Sequence, residues 1–166
     1  CITALTLSGL PTRRFAFEAF LPSDKKERAC ILQELKNETR TIILYEAPHR
    51  LVKTLEELYA ELGDRKISLC RELTKKHETV FRDTLSQAIA WYKENPPKGE
   101  CVMVLAGRPR EELVLEERQK WENMSLEEHL AIYEKEGMSR KDAMKQVAKD
   151  RGIRKRDVYQ ALLNQE

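Results

Sequence analysis

Apolar residues recur along this chain in two rhythms, one of period two and one of period near 3.6. The clearest stretch lies between residues 39 and 78. Thr41-Ile42-Ile43-Leu44-Tyr45 is a β-branched and apolar run and predicts a buried strand. Leu51, Val52, Leu55, Leu58, Tyr59 and Leu62 then fall on one face of a helix, which Gly63 is placed to close. Lys66-Ile67-Ser68-Leu69-Cys70 predicts a second strand. Each strand ends in a polar cluster, Glu46-Ala47-Pro48-His49-Arg50 after the first and Arg71-Glu72-Leu73-Thr74-Lys75 after the second. In open sheets of parallel strands, ligands bind at the carboxyl ends of strands, so both clusters are candidates for a site.

The same reading extends outward. Residues 1–7 predict the end of a helix, and Ser8-Gly9-Leu10-Pro11-Thr12 a turn. Phe15 to Phe20 alternate as a short strand, and Ser23 or Asp24 caps a helix reaching about Lys36. Residues 79–85 predict a strand, followed by a helix capped by Ser86 and ending near Glu94. Asn95-Pro96-Pro97-Lys98-Gly99 breaks the chain. The nearly continuous apolar run from Glu100 to Ala106 predicts a buried central strand.

From about Glu111 the strand signals stop. Ser125-Leu126-Glu127-Glu128 is a capping box, Ser139 caps a second helix that Gly152 ends, and Val158, Ala161, Leu162 and Leu163 mark a third. These short helices resemble a helix-turn-helix unit. The expectation is therefore an α/β domain over residues 1–110, a mixed sheet flanked by helices, with a small all-helical appendage over 111–166.

Composition narrows the function classes. The 166 residues carry 35% charged side chains and a net charge of only +2, so local patches decide about nucleic acid. Residues 139–157 hold eight Lys or Arg against three Asp, Arg140, Lys141, Arg154, Lys155 and Arg156 among them. A basic patch of this kind reads either as an RNA contact or as a solvated helix face. The four cysteines are far apart, three of them in apolar contexts, and no metal motif is present. No apolar run is long enough to span a membrane. The chain opens on Cys1 rather than Met and reads as a fragment of a longer cytoplasmic protein.

The two clusters each have a structural alternative. Pro48 suits the first turn of a helix, which would leave His49 and Arg50 merely exposed. Arg71-Glu72 would be a loop with an ion pair. As a site, Glu46 and the strand-end backbone would line a cleft, and Arg50 would bind phosphate or a carboxylate. His77 and Glu78 extend the second cluster. No phosphate loop and no G-x-G-x-x-G occurs.

Four stretches in order carry a family resemblance: Ser8-Gly9-Leu10-Pro11-Thr12 with Arg14-Phe15, Phe20-Leu21-Pro22, Tyr45 to Arg50, and Arg71 to Lys75. Together they resemble the bacterial 2′-O-ribose methyltransferases that modify a cytidine of 16S rRNA. That group lies within the tetrapyrrole (corrin/porphyrin) methylase superfamily. The resemblance implies two α/β domains with S-adenosylmethionine between them, this chain being the second and its glycine-rich partner domain absent. It implies cofactor contacts from Tyr45, Glu46 and Ala47, from Leu73 and Thr74, and from Leu105 and Ala106. It implies catalytic or RNA roles for Arg71, Glu72 and Lys75, with Glu72 as base and Arg71 or Lys75 as the stabilising cation. Arg50, Arg140, Lys141, Arg154, Lys155 and Arg156 would bind the RNA of the small ribosomal subunit. A homodimer is also implied, and no metal. The chain departs from the pattern at Arg13 and Ala106, where acidic residues are usual, and at Asp83, where glycine is usual. A methylase of small tetrapyrroles and a non-catalytic RNA-binding or assembly module are the alternatives.

Overall fold

The computed structural model describes residues 1–163. Five strands, β1 (Phe15–Phe20), β2 (Thr41–Glu46), β3 (Lys66–Arg71), β4 (Thr79–Thr84) and β5 (Cys101–Leu105), form one sheet in the order β1-β2-β5-β3-β4. β1 runs parallel to β2, whereas β5 runs antiparallel to both β2 and β3, and β4 antiparallel to β3. The sheet is mixed, and the last strand of the chain is its centre, as the apolar run at 101–105 requires. β2 and β3 are parallel to one another but do not touch, because β5 is inserted between them.

Helices α1 (Ile2–Ser8), α2 (Lys25–Lys36), α3 (Leu51–Leu62) and α4 (Leu85–Glu94) accompany the sheet. On one face, α2, α3 and α4 bury Leu32, Leu35, Leu55, Leu58 and Ala88 against Ile42, Leu44, Leu69, Met103 and Leu105. Each fully buried leucine contributes roughly 1.5–3 kcal/mol, so this layer is the principal source of stability. On the other face, Ala4 and Leu5 of α1 pack on Ile43, Cys70 and Val104. Asp24 caps α2 by accepting from the backbone N–H groups of Lys26 and Glu27.

The expected cap of α4 is corrected. Thr84 holds the N-cap position, and Ser86 lies within the helix, its N–H and hydroxyl donating to Asp64 at 2.8 Å each. Ser86 thus ties α4 to the turn before β3.

A bulge interrupts β1 between Phe17 and Ala19, with Ala19 at φ +52°. Its consequence is local and definite. Without the extra residue, Phe20 would point away from Phe17; with it, both share the face of Tyr45. Tyr45 makes edge contacts with each, at centroid separations of 5.2 Å and 5.6 Å.

The chain divides into two compact units, Cys1–Pro109 and the residues from Arg110 onward. The second contains α5 (Arg110–Glu122), α6 (Leu126–Lys135), α7 (Arg140–Arg151) and α8 (Lys155–Leu163). Leu130, Ala143, Val147, Ala148, Val158 and Leu162 form its core. The Ser125–Glu128 capping box is complete in both directions, Ser139 caps α7, and Gly152 closes it in the left-handed region. α5 is an additional helix that apolar spacing does not announce.

Candidate functional site at the sheet edge

The register puts the two sequence clusters beside each other. Glu46, the last residue of β2, and Arg71, the last of β3, both pair with Cys101, the first residue of β5. The segments that follow them, 47–50 and 72–78, therefore leave the sheet at one edge.

The two clusters are built differently. The Glu46 carboxylate is buried and fully engaged. Oε1 accepts from the Ala47 N–H at 2.9 Å, and Oε2 accepts from the Thr54 hydroxyl at 2.7 Å. Thr54 in turn accepts from Arg28 at 2.7 Å, and Arg28 also donates to Glu57 at 2.6 Å. Arg50 stands 3.5 Å from Glu46 Oε1 and donates to the Ser23 hydroxyl at 3.3 Å. Glu46 thus ties the end of β2 to α2 and α3, and any ligand contact it makes at the edge runs through its backbone. Thr54 and Arg28 escape motif reasoning. The signal that finds them is a threonine beside the apolar stripe of α3, a polar group the helix face must bury.

The second cluster is open. Glu72 and Thr74 both have positive φ, +50° and +65°. For a β-branched residue this backbone is costly, and such strain persists only where surroundings impose it. The turn is held by the Lys75 N–H donating to the Glu72 carbonyl at 3.0 Å and by the Thr74 N–H donating to the Glu78 carboxylate at 2.7 Å. Glu72 and Lys75 form an ion pair at 3.2 Å. They line a cavity of about 410 Å³ with Cys70, Leu73, Gly99, Glu100 and Val102. Gly99 has φ +76°, and a Cβ there would collide with Glu72 Oε1. The breaker before β5 therefore makes the room that the Glu72 side chain occupies.

Arg71 is separated from this pair. Side chains alternate along β3, so Arg71 leaves the opposite face from Cys70. It donates to Thr79 Oγ1 at 3.2 Å and lines another groove, of about 610 Å³, with Phe81, Trp91 and Tyr92. Of the three expected catalytic residues the fold joins two, Glu72 and Lys75.

Of the seven expected cofactor contacts it joins five. Tyr45, Glu46, Ala47, Leu73 and Thr74 lie at the same edge. Leu105 and Ala106 do not: Leu105 pairs with Ile42 and Ile67 at the far end of the sheet, and the Ala106 N–H donates to the Lys66 carbonyl. The reason is strand direction. β5 is antiparallel to its neighbours, so its carboxyl end is the opposite edge, and the residue it brings to the candidate site is Cys101. Burial pushes the Cys101 thiol up to about 11, with Arg71 opposing and Glu46 adding to that shift. Burial also raises the Cys70 thiol. Neither is a nucleophile at neutral pH.

In the helical unit, Arg140 and Lys141 are exposed at the start of α7, while Arg154, Lys155 and Arg156 are exposed at the start of α8. The five expected RNA-contacting residues there form two groups at opposite ends of α7, roughly 18 Å long at 1.5 Å per residue. Arg140 pairs with Glu134 at 3.7 Å.

Comparison with known proteins identifies the family. The chain is 46% identical over 158 residues to ribosomal RNA small subunit methyltransferase I of Halalkalibacterium halodurans, covering 95% of this chain and 54% of that protein. It is 45% identical to the protein of the same name from Bacillus subtilis, covering 96% and 54%. The chain spans about half the length of these curated relatives. A crystal structure of the methyltransferase CobJ superposes with a TM-score of 0.49 at 19% identity, covering 64% of this chain and 46% of that one. Residues 1–89 match the sequence pattern of one family, and the chain accordingly belongs to the tetrapyrrole (corrin/porphyrin) methylases.

Proposed function

We propose that this chain is the second half of an S-adenosylmethionine-dependent methyltransferase that modifies the ribose 2′-OH of a cytidine in 16S rRNA. The glycine-rich half of the cofactor site would come from a domain beyond this chain. One observation carries the reading: an open carboxylate–ammonium pair, Glu72 and Lys75, stands on a strained turn at the same sheet edge as the end of β2. Family membership and relatives of 45–46% identity named as small-subunit rRNA methyltransferases support it.

The residues present fit the cofactor. Glu100, Leu73 and Val102 line the 410 Å³ cavity beside the Glu72–Lys75 pair. The Glu100 carboxylate and that apolar wall suit a cationic sulfonium and an adenosine. Backbone groups of Tyr45 to Ala47 and of Leu73 and Thr74 would hold it, and when bound it supplies an electrophilic methyl group. The work left to this chain is proton removal and orientation. A ribose hydroxyl is a poor nucleophile until it loses its proton. Glu72 is placed to accept that proton. Lys75 holds the carboxylate and carries the positive charge that a developing alkoxide needs. The turn at 72–75 fixes both without further reorganisation, which is where positional catalysis gains most. Arg71 faces another groove, so its role in this scheme is RNA contact.

The basic stretch at residues 139–157 of the helical unit would add salt-dependent phosphate contacts. The test is product analysis. Small-subunit rRNA treated with the complete protein and digested to nucleosides should gain 2′-O-methylcytidine. A methylated porphyrin precursor with unmodified rRNA would select the tetrapyrrole alternative. Binding of rRNA without methylation would select the non-catalytic module.

A further inference from the structure

A second cavity opens at the same sheet edge, between α2 and α3, with a volume of about 550 Å³. Its walls carry Ser23, Lys25, Arg28, Arg50, Lys53 and Glu57. We propose that this cavity is a binding site for a backbone phosphodiester of the RNA substrate; this rests on the reading of the chain as an RNA methyltransferase.

The argument is one of charge balance. Four cations line the cavity. Arg28 is paired with Glu57 at 2.6 Å, and Arg50 with the buried Glu46 at 3.5 Å. Two carboxylates thus answer two arginines. Lys25 and Lys53 remain, both exposed, and among the described residues neither makes an ion pair. The neighbouring Asp24 keeps its charge while it caps α2, but it is not among the residues that line the cavity. The cavity therefore holds an uncompensated double positive charge.

The position of those charges is unfavourable to the fold. Lys25 is the first residue of α2 and Lys53 lies in the first turn of α3, where the helix dipole disfavours cations. A phosphate between them reverses the sign by meeting two ammonium groups. The Ser23 hydroxyl accepts from Arg50 and keeps its own proton for an anionic oxygen. An RNA strand presenting a 2′-OH to Glu72 has phosphates on both sides of that nucleotide, and the cavity lies at the edge where β2 ends.

The experiment is filter binding of a short single-stranded oligoribonucleotide to this chain across a series of salt concentrations. Three proteins are compared: the unaltered chain, K25Q/K53Q, and K141Q/K145Q on α7. Loss of one phosphate contact lowers the slope of log K against log salt by about 0.7 on single strands. K25Q/K53Q should bind more weakly with a slope reduced by about that amount, and K25R/K53R should restore both. An unaltered chain that binds RNA, with the same affinity and slope in K25Q/K53Q, would overturn the pocket alone. A weakened K141Q/K145Q would then place the contacts on the helical unit. Saturable binding of inorganic phosphate that K25Q/K53Q loses while its RNA binding is unchanged would also overturn the proposal, as a small-anion site. Absence of RNA binding by the unaltered chain would overturn both this site and the reading beneath it.

Discussion

Thr54 carries a burden out of proportion to its size. Its hydroxyl donates to Glu46 and accepts from Arg28, both in buried surroundings. Thr54→Val keeps the shape and removes both bonds, leaving two charged groups short of a partner. The expected cost is about 1–3 kcal/mol, read as a lower urea midpoint at constant slope. Glu72 is the contrasting residue, open and, among the described residues, paired only with Lys75. Glu72→Gln in the complete enzyme should cut turnover by about 10²-fold or more while cofactor affinity stays nearly unchanged, the pattern of a lost proton acceptor. Undiminished turnover would remove Glu72 from that role. Gly99→Ala should act in the same direction, because the new methyl group displaces the Glu72 carboxylate and the backbone there is left-handed. Parallel loss of turnover in both variants, measured by labelled methyl transfer, would tie the two positions together. At this scale the sequence reveals residue types and little of their orientation. Glu46 and Glu72 look alike as strand-end acids, yet one is sealed under two arginines and the other faces a cavity. The alternation rule does separate Arg71 from Glu72, which neighbour each other in sequence and leave opposite faces of β3.

Elements were more legible than contacts. Strands and helices of the first unit follow from their periodicities, because each buries one well-defined face. β5 is the exception in direction. Its apolar run announces a central strand, but nothing in the run says that it enters between β2 and β3 antiparallel, which is what takes Leu105 and Ala106 away from the edge where β2 and β3 end. α5 was illegible for another reason: its apolar residues Leu113, Val114 and Leu115 are consecutive and make no helical stripe. In the helical unit a buried histidine, His129, stacks on Trp121 at 3.9 Å and accepts from Arg151 at its Nδ1, 3.1 Å away. Its Nε2 stands 3.5 Å from Asp150 and has no hydrogen-bond partner. Burial, reinforced by the Arg151 charge, lowers the His129 pKa below 6.5. The folded unit then binds fewer protons than the unfolded chain once the pH falls below 6.5, so its stability declines with acidity. The thermal midpoint of this unit should drop between neutral pH and pH about 5, and His129→Phe should flatten that dependence while keeping the stack on Trp121. A midpoint independent of pH in the unaltered chain would contradict the neutral histidine.

At the scale of the molecule, the proposed reading makes the sheet edge half of a site. The edge presents a carboxylate, an ammonium group and strand-end backbone, whereas no glycine-rich phosphate or nucleotide motif occurs anywhere in the sequence. The four stretches that resemble the rRNA ribose methyltransferases made the superfamily legible, and the match of residues 1–89 to the tetrapyrrole (corrin/porphyrin) methylases agrees. What they could not convey is which strand ends converge, since that depends on the pairing of Glu46 and Arg71 with Cys101, far along the chain. Exposed cations stand in two groups at either end of α7, and among the described residues Arg140 of these pairs with a carboxylate, Glu134. The measurement that bears most directly on the central claim is transfer of labelled methyl from S-adenosylmethionine to undermethylated small ribosomal subunits. It should be run on this chain alone and on this chain joined to the part of a relative, such as the Bacillus subtilis protein, that this chain does not cover. Label in 16S rRNA with the joined protein, and none with the chain alone, is the predicted result. Failure of the joined, cofactor-binding protein to label rRNA would contradict the account, as would transfer by this chain alone.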